Sequence, residues 1–142
     1  MKLVQHLLER KGSELISIVQ EASVFDAIKL MADRGVGSLL VMDGRDLKGI
    51  VTERDYARKV IIKGRSSEST AVGEIMSTDI VTATSQQTVQ ECMALMTDRR
   101  IRHLPVVDNG EVVGLISIGD LVQAIISDQQ EEIQQLEQYI SG

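Results

Sequence analysis

Residues 49–55 read GIVTERD and residues 114–120 read GLISIGD. In both, a glycine opens an aliphatic run, a hydroxyl residue closes it, and an aspartate follows three places later. The offset of 65 residues holds upstream without a gap, pairing Val24 with Val89, Leu30 with Leu95, Met31 with Met96, Asp33 with Asp98, Leu39 with Leu104, Val41 with Val106 and Asp43 with Asp108. Matches at that density mark an internal duplication, so the fold is one supersecondary unit written twice.

Each copy changes period in the same order. Val24, Ala27, Ile28 and Met31 have helical spacing, as do Val89, Cys92, Met93 and Met96, and each set predicts an amphipathic helix of about three turns. SLLVM (38–42) and LKGIV flank turn residues DGRD, and HLPVV (103–107) and VVGLI flank DNGE, so a β-hairpin follows each helix. Pro105 lies within the first of these runs in copy two, which places it at a sheet edge or with its missing donor turned away from the ladder. LISIV (15–19) and IVTAT (80–84) read as opening strands, and a helix starts after Thr52 and after Ser117. Each copy is therefore β-α-β-β-α. At about 60 residues neither buries its sheet alone, so the two are expected to pack sheet to sheet. The boundaries expected along the chain are 1–64, a polar linker 65–71 within KGRSSESTA, 72–127, and a helical extension 128–142. The last helix should run from near Ile118 to Ile140, and its apolar residues Val122, Ile125, Ile126, Ile133, Leu136 and Ile140 either seal the module or pair with a second subunit.

Composition narrows the function. The 142 residues are 43% hydrophobic, enough for one ordinary core, but contain no Trp, one Phe and two Tyr, which leaves little for stacking on bases. A net charge of −6 argues against nucleic acid. Two basic clusters stand out, Arg54, Arg58, Lys59, Lys63 and Arg65, and Arg99, Arg100, Arg102 and His103. They form either solvated helix faces or small phosphate sites. Cys92 is the only cysteine, sits on a helical apolar stripe, and reads as a buried thiol of a reducing compartment. MKLVQHLLERKG is too soon charged for a signal peptide and no stretch approaches a membrane span, so the expected location is the cytoplasm, with no membrane partner. His103 has no cluster of Cys, His or carboxylates at ligand spacing, which leaves it a polar strand start rather than a metal ligand or base, and His6 is distant in sequence.

Thr52 with Asp55, and Ser117 with Asp120, fit capping boxes at helix starts. Capping alone explains the spacing. The glycine-led strand ahead of each suggests in addition close backbone approach and free amides that favour anions. A carboxylate there would repel a phosphate but accept both hydroxyls of a cis-diol, a division that suits a ribonucleotide.

These features resemble the CBS-domain pair, or Bateman module, from Val4 to about Ile126, through the duplication, the phrase RIRHLPVVD (100–108) and the aliphatic GhhTxxD and GhhSxxD endings. TERDYARKV, ISIGDLV and the short extension are similar to stand-alone CBS-pair proteins of bacteria and plant organelles. The resemblance implies an α+β fold of tandem CBS repeats packed sheet to sheet with pseudo-two-fold symmetry, plus N- and C-terminal helices. It implies a non-catalytic regulatory module, an energy sensor, whose clefts between the copies take AMP, ADP, ATP or NAD(H), or S-adenosylmethionine in some members, with no catalytic cofactor. Carried over by position, Thr52 and Ser117 contact phosphate or ribose, and Asp55 and Asp120 the diol. Ile16, Ser17, Ile80 and Thr82 offer backbone groups to adenine, Gly37, Ser38, Arg102 and His103 line the phosphate side, and Arg54 assists. A homodimer and a separate regulated protein are the expected partners. The alternative is a structural dimerisation module with vestigial clefts; an enzyme is not expected, since no nucleophile–base pair, metal cluster or GxxxxGK[ST] loop is present. Copy one lacks the Arg102–His103 pair and the proline, and copy two has Ile118-Gly119 in place of Glu53-Arg54, so the two sites are not expected to share one affinity.

Overall fold

A computed structural model of the chain describes residues 2–12 and 14–141. The elements are α1 (Val4–Lys11), β1 (Ser17–Ile18), α2 (Val24–Arg34), β2 (Ser38–Asp43), β3 (Asp46–Thr52), α3 (Glu53–Tyr56) continued by a π-helical stretch (Ala57–Ile61), α4 (Val72–Ile75), α5 (Val89–Arg99), β4 (His103–Asp108), β5 (Glu111–Ser117) and α6 (Ile118–Ser141). The α+β class and the doubled order of helix and hairpin agree with the sequence reading.

Both three-turn helices are set by local chemistry. The Ser23 hydroxyl accepts the Asp26 amide at the start of α2, and Thr88 and Glu91 close a capping box on α5. α2 buries Val24, Ala27 and Met31 and α5 buries Val89, Cys92 and Met96, on the faces their spacing specifies. α2 ends on left-handed Gly35, and α5 ends 65 residues later on left-handed Arg100, φ 55°, a conformation that costs a side-chain-bearing residue about 1 kcal/mol.

The hairpins repeat down to their irregularities. β2 and β3 pair from Ser38↔Thr52, with a bulge between Val41 and Met42. β4 and β5 pair from His103↔Ser117, with a bulge between Val106 and Val107. A bulge kept at the same repeat position fixes the same twist and aims the same strand end in both copies.

The opening segments differ. β1 lies parallel to β2, and the first sheet runs β1-β2-β3. The strand expected over 80–84 shrinks to one bridge between Ala83 and Val106, leaving β4-β5 as a two-stranded sheet. Pro105 supplies the reason. In the first copy the Leu40 amide donates to the Ile16 carbonyl at 3.2 Å; the residue 65 places later is Pro105, which has no N–H. Its carbonyl still accepts the Ala83 amide at 2.9 Å. The missing donor thus falls on the side away from β5 and cuts the outer strand short.

Contacts divide the chain into two compact units, Leu15–Val81 and Met1–Glu14 with Thr82–Gly142. The repeat boundaries at 64, 71 and 127 follow the sequence period, whereas these units follow packing. α1 joins the unit of the second copy, where Val4 and Leu7 are buried. α4 joins that of the first, where Val72 and Ile75 enter the core of Val24, Ala27, Met31, Leu39, Val41, Val51 and Val60. The linker is packed too: Ser67 and Thr70 carbonyls accept the Phe25 and Val24 amides, and Thr70 is buried.

Gly49 and Gly114 show what the paired glycines are for. A Cβ on Gly49 would stand 2.8 Å from both Met76 Sδ and the Ser77 carbonyl oxygen, and one on Gly114 would stand 2.5 Å from Leu8 Cδ2. Each glycine lets a segment from ahead of an opening strand cross the hairpin closely. The close approach expected at these glycines is therefore used by the protein's own packing.

Among the described residues no helix is long and apolar enough to cross a membrane.

Candidate functional site

The strand–helix junction of each copy gathers the residues singled out in the sequence. Ser38 lies opposite Thr52, and His103 opposite Ser117. The Gly37 carbonyl accepts the Glu53 amide at 3.1 Å, and the Arg102 carbonyl accepts the Ile118 amide at 2.9 Å. Gly37, Ser38, Thr52, Arg54 and Asp55 thus share one junction, and Arg102, His103, Ser117 and Asp120 the other.

Both capping boxes form. The Asp55 amide donates to Thr52 Oγ1 at 3.1 Å and Asp55 Oδ2 accepts the Thr52 amide at 3.0 Å. The Asp120 amide donates to Ser117 Oγ at 3.2 Å and Asp120 Oδ2 accepts the Ser117 amide at 2.8 Å. Together with the Gly37 and Arg102 carbonyls, these bonds consume two of the first three amides of each helix. The free-amide anion cradle expected here is therefore mostly filled, and both aspartates turn one oxygen onto the main chain.

What remains differs between the copies. The Asp55 side chain is 12% exposed and both its oxygens are engaged, Oδ2 by Thr52 and Oδ1 by Lys59 Nζ at 3.2 Å. Asp120 is 26% exposed, and among the described residues its hydrogen bonds all fall on Oδ2, from Ser117 and from Lys11 Nζ at 2.7 Å. Burial raises the Asp120 pKa, but the bonds from Lys11 and Ser117 outweigh it and hold the carboxyl below its ordinary range, as an anion with one open oxygen. Burial, with Lys11 and Arg102 nearby, lowers the His103 pKa against the opposing pull of Asp120, so the ring is neutral at pH 7.

In the opening segments, Leu40 takes the Ile16 carbonyl into the ladder, so that group is spent. Ser17, the next residue on this edge strand, turns its amide and carbonyl to the open side. Ala83 gives both its groups to β4, so the groups of Thr82 alternate outward in the same way. Ile80 lies outside any strand.

A family model for the CBS domain matches residues 11–62 and 72–127. The chain belongs to the CBS-domain family. It is 46% identical over 125 residues to the CBS domain-containing protein CBSX3, mitochondrial, of Arabidopsis thaliana, covering 84% of this chain and 61% of that protein; it therefore spans less than two thirds of this plant relative. Among solved structures, a CBS-domain protein from Burkholderia ambifaria MC40-6 is 51% identical with TM-score 0.87, over 90% of this chain and 96% of that one. The CBS domain pair of protein MJ0100, solved with 5′-methylthioadenosine and S-adenosyl-L-methionine, is 25% identical with TM-score 0.80, over 90% of this chain and 98% of that one.

Within this CBS pair, sequence reasoning missed the two lysines on the aspartates. Lys59 stands at i+4 from Asp55, a spacing that signals an ion pair on any helix. Lys11 comes from α1, 109 residues before Asp120, and no local pattern points to it. Cys92 is fully buried, and burial pushes its thiol up to about 11, which makes it an inert core group. Among the described residues no group of three His, Cys, Asp or Glu could hold a metal.

Proposed function

We propose that this CBS pair is a non-catalytic regulatory module that binds an adenosine-containing nucleotide, AMP or a relative such as ATP or NAD(H), and signals occupancy to a separate protein. The observation that carries the reading is Asp120. It is an anionic, half-buried carboxylate whose bonds from the described residues fall on Oδ2 and not on Oδ1, held rigidly at the start of a 24-residue helix beside Ser117 and His103. A vicinal diol needs such a fixed double acceptor, and the CBS pair of MJ0100 carries two adenosine derivatives. Thr82 would meet the adenine edge, and Arg102 the phosphate side. Ligand energy reaches a partner only through a difference in affinity between two arrangements of the pair.

Calorimetry with AMP, ATP and NAD tests this. Micromolar binding that Asp120→Asn weakens about tenfold is expected, roughly the 1.4 kcal/mol of one charge-assisted bond. Asp55→Asn should weaken it less, because Asp55 is already saturated by Thr52 and Lys59. Absence of heat with every adenine nucleotide would rule the reading out.

A second reading, an interaction module with vestigial sites, is favoured by one observation. Every residue of α6 from Gln129 to Ser141 is exposed, including Ile133, Leu136, Tyr139 and Ile140. If truncation at residue 128 abolishes partner binding while nucleotide affinity persists, this tail is a working surface in its own right.

A further inference from the structure

We infer that Lys11 sets the selectivity of the Asp120 site, making it prefer a phosphorylated nucleotide over the bare nucleoside. The inference rests on the nucleotide reading above and goes beyond it. Lys11 Nζ donates to Asp120 Oδ2 at 2.7 Å and to the Leu115 carbonyl at 2.7 Å, and the Ser117 amide donates to the same Oδ2 at 2.8 Å. A carboxylate oxygen has two lone-pair sites, so Oδ2 is full. A diol that spans both oxygens must therefore displace the Lys11 ammonium.

The displaced cation has somewhere to go. Lys11 is 40% exposed on a flexible four-carbon stem, at the rim of a shallow pocket lined by Leu7, Arg10, Lys11, Asp120, Gln123 and Ala124. Over the first turn of α6, a Cβ on Gly119 would meet only Ser117 Oγ, at 3.6 Å, so the approach is open. The first copy has Arg54 at the position of Gly119, and Lys59 at that of Ala124. The second copy has lost both cations from its own helix and recovers one from α1. A nucleoside gives the released ammonium no new partner, whereas a 5′-phosphate across the ribose ring does.

The test is calorimetry of AMP and of adenosine on the wild-type chain, on Lys11→Met and, as a second replacement that keeps polarity, on Lys11→Gln. Expected is a change of opposite sign for the two ligands: tighter adenosine and weaker AMP, so that the AMP-to-adenosine preference falls about tenfold, with Lys11→Arg retaining the preference. A lysine that merely ties α1 to the second unit would weaken both ligands in parallel, and a surface ion pair of no consequence would move neither; either result overturns the inference while leaving nucleotide binding intact. If the wild-type chain binds neither ligand, the nucleotide reading itself fails, and this inference with it.

Discussion

Asp120 and His103 are charged and neutral for reasons that can be separated by pH. Asp120 has a folded pKa below its unfolded value, so its contribution to stability is present above about pH 4 and is lost as pH falls through the folded value. His103 has a folded pKa below its unfolded value, so the unfolded chain takes up the proton first and stability falls as pH drops below about 6.5. Urea unfolding across pH should therefore show two separate losses. His103→Gln is expected to flatten the one that sets in below about pH 6.5 and to leave the one that sets in below about pH 4. Lys11→Met should raise the His103 pKa in a proton NMR titration, because it removes a neighbouring cation. At this scale the sequence was informative where both partners lie within one motif, as with Thr52–Asp55 and Ser117–Asp120. It was silent on Lys11, since an ion pair spanning 109 residues leaves no periodic trace.

Periodicity and the 65-residue repeat made the elements legible: α2, α5 and both hairpins stand where spacing placed them. Three features escaped. The opening strand of the second copy is cut to one bridge by the proline that the same sequence displays, because losing one donor in so short a ladder leaves too few bonds to hold a strand. The π-helical stretch after α3, closed by the Ile62 amide on the Ala57 carbonyl at 3.1 Å, shifts burial onto Val60, whereas α6 runs on without it and buries Leu121 and Ala124. The paired glycines also have a different use: Gly49 and Gly114 admit Met76, Ser77 and Leu8. The two should not tolerate alanine equally. Gly49→Ala meets a backbone carbonyl fixed by the Ile50–Ser77 bridge, and a loss of about 2–3 kcal/mol is expected; Gly114→Ala meets the mobile end of Leu8 and should cost about 1 kcal/mol. Chemical denaturation of both variants decides it, and equal losses would contradict the distinction.

For the whole molecule, two questions concern partners and ligand. α6 buries Leu121 and Ala124, but the stripe of Val122, Ile126, Ile133, Leu136 and Ile140 is centred roughly 130° around the helix from them. With Ile133 54%, Leu136 62% and Ile140 82% exposed, it does not seal the unit, although the sequence allowed that outcome. A 13-residue segment exposed on every side, with no lysine or arginine of its own and Lys2 reaching only Glu131 at its start, at 3.9 Å, is marginal as a lone helix. We propose that a second copy of the chain covers it. Sedimentation should then show a dimer that truncation at residue 128 converts to a monomer, while a full-length chain that stays monomeric at high concentration would assign the stripe to a different protein. The ligand question turns on Asp120. Its capping bond to Ser117 would exist with or without a nucleotide, so only a measurement that couples the carboxylate to the ribose hydroxyls separates the two roles. That measurement is a double-mutant cycle by calorimetry, AMP and 2′-deoxy-AMP on the wild-type chain and on Asp120→Asn. The account expects the missing hydroxyl to cost the wild-type chain about tenfold in affinity and to cost Asp120→Asn almost nothing. An equal penalty in both proteins, or none in either, would show that the carboxylate caps a helix and holds no diol.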